Sequence, residues 1–395
     1  MSDVRFPRRS VLAGAGGLAL TAAAGAGPAT AKINAELPVR WLTDHTDRSF
    51  LTYPHHNGFL NGGAHLIIRY QDLAASQPEY LHLVDLATAA RTPLPARPSG
   101  DQMGGGYFDV HAPTGTIFCV ESPADPAVAP FRVWSFDAAR FLADGTGSWQ
   151  LRHTLPLNQR IADHLVAVHP DGTKIAFSVL TGTTPNWHSD ITEITLATGA
   201  AEVLVSQDKL FNHVHYHPAF PTWLIFAHEG DVLTTSDRVW AHHRTYLPNG
   251  GNIVPQLTGT ALRLAHERAC HHDDSVVVIN YANPRGLVRG HLDSRTPVQL
   301  ADGRFEHCDI SRDGRWIVVD TSDQAGIGTS IELIDTANGN LVIPIVTGIV
   351  RGQNHPRHNH PIFSPDGRYV LFNDPDPARP DDGGLRIGVV DLSGL

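Results

Sequence analysis

Seven short turns rich in Gly, Asp or Pro punctuate the chain, and a run of apolar residues follows each of them. The turns are Asn61-Gly62-Gly63, Pro113-Thr114-Gly115, Pro170-Asp171-Gly172, Phe220-Pro221, Asp273-Asp274, Asp313-Gly314 and Asp366-Gly367. The runs include Leu66-Ile67-Ile68, Ile175-Ala176-Phe177, Val276-Val277-Val278, Trp316-Ile317-Val318-Val319 and Val370-Leu371-Phe372. Pro sets φ and Gly accepts positive φ, so Pro-Asp-Gly between two apolar runs is a turn with a mechanism. Spacings of roughly 40 to 57 residues are those of a four-stranded propeller blade. Third strands such as Leu83-Val84-Asp85-Leu86 and Ile331-Glu332-Leu333-Ile334-Asp335 complete the pattern. Seven turns thus predict an all-β chain folded as one seven-bladed β-propeller over residues 32–395. The last blade has only three strands before Leu395. Val39-Arg40-Trp41-Leu42 is expected to supply the fourth, closing the ring and removing an open edge. A β-sandwich without repeats is the structural alternative. No stretch reads as an amphipathic helix of convincing length.

The N-terminal 31 residues stand apart. Arg8-Arg9-Ser10-Val11-Leu12 precedes an Ala/Gly/Leu-rich run, and Ala29-Thr30-Ala31 offers a small-residue cleavage site. This pattern predicts a twin-arginine signal and a mature protein exported to the periplasm or beyond. No other segment is long and apolar enough to span a bilayer as a helix. A formal net charge of −10 gives nucleic-acid binding no electrostatic support. An acidic substrate would need a local basic or metal-bearing pocket. The three cysteines, Cys119, Cys270 and Cys308, cannot all pair, although a Cys270–Cys308 bridge is open to the sequence.

Histidine is abundant, 24 residues against 30 Lys plus Arg. The placement says more than the number. His55 and His56, His164, His213 and His215, His266, His307 and His360 each precede a turn by several residues. They therefore occupy equivalent places, at the start of the strand that is innermost in a propeller. The exception is the blade of Tyr107-Phe108-Asp109-Val110-His111. Six blades aim imidazoles at one end of the axial channel. Either histidine caps the strand start in each blade, or several imidazoles ligate a divalent metal while others face a substrate. His358-x-His360 places two side chains on the same face of an extended segment.

Three segments resemble the oligogalacturonate lyases. These are Phe226-Ala227-His228-Glu229-Gly230 with Arg238-Val239-Trp240, His266-Glu267 ahead of Cys270-His271-His272-Asp273-Asp274, and His360-Pro361-Ile362-Phe363-Ser364-Pro365-Asp366-Gly367. Order and approximate spacing agree from His213 to Phe372, and the N-terminal half agrees only in blade pattern. The resemblance implies a seven-bladed propeller that cleaves uronic-acid oligosaccharides by β-elimination at a divalent metal, manganese. It implies His266, His358 and His360 as ligands. The fourth, a glutamine in the family, falls on His355, with Gln353 two residues back. The arginine proposed as the family's base has no counterpart between Glu202 and Asn212, where Lys209 is the lone cation.

The chemistry fits such a site. The proton alpha to a uronate carboxylate is weakly acidic, and a cation stabilises the charge that develops when it leaves. Neutral His is a suitable base near pH 7. His213, His215 and His228 are the candidates, with Lys209 if desolvated. His56, His164, His307 and Arg238 are expected to face the acidic oligosaccharide. Glycoside hydrolysis would need paired carboxylates, and Asp163, Glu267, Glu306 and Asp309 are sparse beside the histidines. A lyase or hydrolase for another uronate glycan, or a binding module without catalysis, are the alternatives.

Overall fold

The computed structural model describes residues 36–75, 79–97, 107–183, 185–230, 235, 237–255, 262–294, 296–321 and 328–395. The N-terminal stretch 1–31, with its twin-arginine pattern, lies outside them. The described residues form six sheets: four of four strands, one of five and one of nine that joins the two ends of the chain. One α-helix occurs among them, Ala138–Asp144, capped by the Asp137 side chain and ended at Gly145. No helix among the described residues is long and apolar enough to cross a membrane.

The turns form as their residues dictate. Gly172, Gly314 and Gly367 take φ of 72°, 73° and 71°, a left-handed conformation that costs a side-chain-bearing residue energy. The aspartate before each glycine accepts a backbone N–H two residues on, as in Thr173 to Asp171 at 2.8 Å and Arg315 to Asp313 at 3.1 Å. The strand that follows each turn is buried on both faces, and its period-two alternation divides it between two neighbours. Val276 and Val278 pack against Ile225 and Ala241 of the preceding sheet. Val277 and Ile279 pack against Phe305, Ile317 and Val319 of the next. Val318 then joins Phe363, Val370 and Phe372. The series closes on itself, because Leu66 and Ile68 share a core with Leu371 and Ile387.

Strand closure follows the expectation. Val39–Trp41 pairs antiparallel with Leu385–Asp391, setting Val39 opposite Val390 and Trp41 opposite Gly388. Trp41 lies edge-on to Phe372 at 6.0 Å. The cysteines do not pair: Cys119, Cys270 and Cys308 are all free and buried, so the Cys270–Cys308 bridge is not made.

Two buried aspartates tie first strands together across sheet boundaries. Asp109 accepts the N–H of Asn57 from one neighbour and of Val168 from the other, both at 2.8 Å. Asp309 accepts the Phe363 N–H at 2.8 Å and pairs with Arg268 Nε at 2.7 Å. Asp309→Ala leaves a buried N–H and a guanidinium without their acceptor, and is expected to cost about 2–3 kcal/mol. Urea unfolding at neutral pH measures this, and a loss below about 0.5 kcal/mol would assign Asp309 no such role.

Candidate functional site

The first strands of the sheets bring their aromatic and imidazole side chains together. His213 and His215 lie on Phe211–Tyr216, His266 on Leu264–Ala269 and His307 on Phe305–Ile310. His360 precedes Ile362–Phe363, and Tyr53 and His55 precede Phe59–Leu60. Their rings make a closed circuit of contacts. Tyr53 lies 5.0 Å from His213, His213 6.1 Å from His266, and His266 4.2 Å from His307, centroid to centroid. His307 lies 4.2 Å from His360, and His360 5.3 Å from Tyr53.

The backbone accommodates this by breaking its regular ladder. Register shifts fall between Asn212 and His215, between Ala265 and Arg268, and between Phe305 and Cys308. His164, His213, His266 and His360 have φ of 56°, 55°, 57° and 45°, unusual for a non-glycine residue. Amides released from the ladder find side chains: His213 N–H donates to Asn212 Oδ1 at 2.7 Å, and His307 N–H to Asp320 Oδ1 at 2.6 Å.

His307, His355, His358 and His360 form an all-histidine group, with one ring nitrogen from each lying within 4.8 Å of the others. All but His355 are buried. Burial holds His307 and His360 well below the usual imidazole range and His358 at about 3, so these rings are neutral. His307 Nδ1–H donates to Asp320 Oδ2 at 2.9 Å, which leaves Nε2 as a bare lone pair. Burial raises Asp320 to about 6, despite the His307 backbone N–H that it also accepts. His358 Nε2 lies 3.1 Å from both the Gln353 carbonyl, to which the Nε2–H tautomer donates, and the Arg351 guanidinium, from which the Nδ1–H tautomer accepts. His307 Nε2, His358 Nδ1 and His360 Nε2 are buried without hydrogen-bond partners among the described residues. Converging neutral imidazole lone pairs are the donor set of a divalent transition metal, so these residues fit such an ion.

This group differs by one member from the set implied by the resemblance. His307, expected to face substrate, stands with the other three, and His266 lies beside it. Gln353 contributes its backbone carbonyl to His358 and its side chain is not part of the group.

A second chain of contacts runs alongside. Glu267 is fully buried and accepts from His213 Nδ1–H at 3.0 Å. Burial alone would raise this carboxyl, but the His213 ring and the Arg238 guanidinium outweigh it and hold Glu267 at about 2. With its proton on Nδ1, His213 presents Nε2 to the Tyr53 hydroxyl, which donates at 3.1 Å. The Tyr53 oxygen accepts in turn from His266 Nδ1–H at 3.2 Å. Tyr53 and the role of Glu267 escaped the sequence reading, because neither residue belongs to the repeated histidine signal.

Tyr53, His164, His213, Arg238, His266 and His355 line one cavity of about 930 Å³. Other expected site residues do not. His228 is stacked between Trp240 at 4.1 Å and Phe211 at 5.3 Å, and burial lowers it to about 4. Lys209 is exposed and does not line the cavity. His215 bonds the His213 carbonyl at 2.7 Å and faces a separate cavity with His55. His56 lines a third, of about 60 Å³. Arg238 reaches the cavity with its guanidinium already engaged, at 3.0 and 2.9 Å from the two Glu229 oxygens.

No family model matches the chain. An oligogalacturonide lyase of Pectobacterium atrosepticum is 24% identical over 216 residues, covering 47% of this chain and 52% of that protein. The chain thus spans about half the length of this curated relative. A solved oligogalacturonate lyase in complex with manganese superposes with a TM-score of 0.66 and 17% identity, over 90% of this chain and 93% of that one. An oligogalacturonate lyase from Vibrio parahaemolyticus gives a TM-score of 0.66 and 16% identity, over 90% and 94%. The β-propeller domain of a Pyrococcus furiosus protease gives 0.52 and 8%, over 86% and 96%. The chain resembles the oligogalacturonate lyases, and its fold is propeller-like.

The neutral histidines make stability depend on pH. Burial lowers His56 and His215 to about 3, against about 6.5 in an unfolded chain. Above that value both states are neutral at these positions. Below it the unfolded chain takes up protons that the folded chain refuses. Each histidine therefore removes about 1.4 kcal/mol of stability per pH unit as pH falls from about 6 toward 3. Urea unfolding at pH 7, 6 and 5 is expected to show this slope, reduced in His215→Gln. An unchanged slope in that variant would contradict the assignment.

Proposed function

We propose that this chain is a metal-dependent lyase that cleaves oligogalacturonate by β-elimination. The observation that carries the reading is the meeting of His307, His355, His358 and His360, with bare ring nitrogens, in a fold similar to a manganese-bound oligogalacturonate lyase. Seven buried clusters, six shared by consecutive sheets and the seventh packing the two halves of the nine-stranded sheet together, support a count of seven blades. On that count, the nine-stranded sheet is two blades joined through a single parallel pairing of Arg48 with Leu385. The twin-arginine pattern supports export of the folded protein to the periplasm or beyond.

In this reading the four histidines hold a divalent cation, manganese, which would stabilise the charge that develops on the uronate carboxylate. His213 is the base. Of the four side chains offered for that role it alone lines the cavity, and its Nδ1–H is fixed on Glu267, so Nε2 carries the lone pair. The Tyr53 hydroxyl gives up its bond to Nε2; as the C5 proton passes there, the bond from C4 to the glycosidic oxygen breaks, a C4–C5 double bond forms, and the departing oxygen takes a proton from water. The buried Glu267 carboxylate stabilises the imidazolium so created, as the carboxylate does in a hydrolase triad. His228, stacked within its sheet, has a packing role.

Incubation with oligogalacturonate is expected to raise short-ultraviolet absorbance from the unsaturated uronate, and a chelator to abolish the rise. No rise across a panel of uronate oligomers would sink the lyase reading. His358→Ala should lose bound metal by elemental analysis while keeping its far-ultraviolet circular dichroism. His213→Gln should keep metal and lose roughly 10²–10⁴-fold in kcat, the usual worth of a positioned base. His228→Gln should stay within a few-fold of wild-type turnover, and a collapse in kcat with metal and fold intact would restore it to catalysis.

A further inference from the structure

Three guanidiniums in the wall of the large cavity have no carboxylate within ion-pair distance among the described residues. Arg48 lies on the strand Asp47–Phe50, Arg160 on Arg160–Ile161, and Arg357 in the loop before Ile362–Phe363. Arg238, on the same wall, shows the contrast, since Glu229 neutralises it through two bonds. Arg357 is buried and, among the described residues, its guanidinium hydrogen-bonds carbonyl oxygens, Pro380 at 3.3 Å and Gly383 at 2.7 Å. Arg48 reaches Gln71 Oε1 at 3.2 Å, and its Nε is buried without a partner. Arg160 is exposed, and no side chain among the described residues bonds its guanidinium. Arg48 and Arg357 also act on each other as like charges, with Asp381 and Asp382 offsetting part of this from the same wall.

A desolvated cation held against a like charge is unfavourable unless an anion arrives to meet it. Arg48 and Arg357 come from the two ends of the chain and Arg160 from the five-stranded sheet, so they form separate stations. A cavity of about 930 Å³ lies at the upper end of ligand pockets, about 300–1,000 Å³, which suits an oligosaccharide better than a single sugar. A ligand with a carboxylate on every sugar matches several such stations.

Building on the lyase reading, we propose that Arg48, Arg357 and Arg160 bind the free carboxylates of uronates flanking the one that reacts. Guanidinium and carboxylate pair through two parallel charged hydrogen bonds, which a methyl ester cannot supply. The preference for unesterified oligouronates that the lyase reading already implies is then set by these three side chains.

The test is calorimetric binding of trigalacturonate and of its fully methylated ester to the protein as purified, with kcat and KM measured alongside. Arg160→Ala and Arg48→Ala are each expected to raise Kd about 10- to 100-fold, the worth of a hydrogen bond between charged groups. KM should rise with kcat nearly held, Arg160→Lys should recover part of the affinity, and the ester should bind wild type at least 10-fold more weakly than the acid. Arg357→Ala also removes bonds to two carbonyls, so if it fails to fold, the exposed Arg160 decides. Wild-type affinity in Arg160→Ala and Arg48→Ala, or equal binding of acid and ester, overturns the proposal and leaves the lyase reading standing. A wild type that neither binds nor cleaves any uronate oligomer overturns both.

Discussion

Strands such as Trp316–Thr321 and Ser275–Asn280 are apolar on both faces, and no single sheet can cover both faces of its own strand. Each sheet must therefore be packed between two others, and a finite series of sheets satisfies this throughout only by closing. The shared core of Leu66, Ile68, Leu371 and Ile387 is where it closes. The site is a consequence of that closure. Once the sheets stand face to face in a ring, first strands far apart in sequence are forced together, and whatever side chains they carry must coexist in a small buried volume. Asp109 and Asp309 join these strands by hydrogen bonds that the ladders do not provide.

Coexistence exacts conformational strain. Left-handed backbone at a residue bearing a Cβ costs on the order of 1–3 kcal/mol, and His164, His213, His266 and His360 all adopt it. The recurrence at equivalent positions argues for a shared geometric purpose. A bulge interrupts the in-out alternation of a strand and re-aims one side chain. At His213 this lets the imidazole reach Glu267 and Tyr53 while the next residue, Val214, stays in the core between sheets.

The parts of this arrangement that were legible in the sequence are the local ones. Turn chemistry is decided within four residues, so Pro170-Asp171-Gly172 and its relatives announced themselves, as did the apolar runs after them. The spacing of His213, His266, His307 and His360 was legible as register, because the repeat carries register over long distances. Which ring nitrogen faces which partner was not. Tyr53 meets His266 across 213 residues, and Asp320 sits on a different strand from the His307 it orients. Such pairings have no local signal. His228 shows the converse: it was a candidate base in the sequence, and the rings that stack on it, Phe211 and Trp240, come from neighbouring strands. His307 and His266 show the limit of register, which places two imidazoles at equivalent positions without saying which of them joins His355, His358 and His360.

The choice of imidazole over carboxylate for the centre of the ring has its own physical logic. Carboxylates packed as closely as His266, His307 and His360, with ring centroids 4.2 Å apart, would repel strongly or stay protonated. Neutral imidazoles pack at that distance at little electrostatic cost while keeping lone pairs available. Two buried carboxylates flank the cluster: Glu267 is balanced by His213 and Arg238, and burial raises Asp320, which meets His307, to about 6. A cation held by neutral ligands keeps its full charge, which a cage of carboxylates would cancel. In a protein of net charge −10, the cation and polyanionic substrate of the proposed function would meet by this route, the ion marking one attractive place on a surface that otherwise repels the ligand. The guanidiniums of Arg48, Arg160 and Arg357, without a carboxylate in ion-pair distance among the described residues, extend the same proposal along the cavity wall.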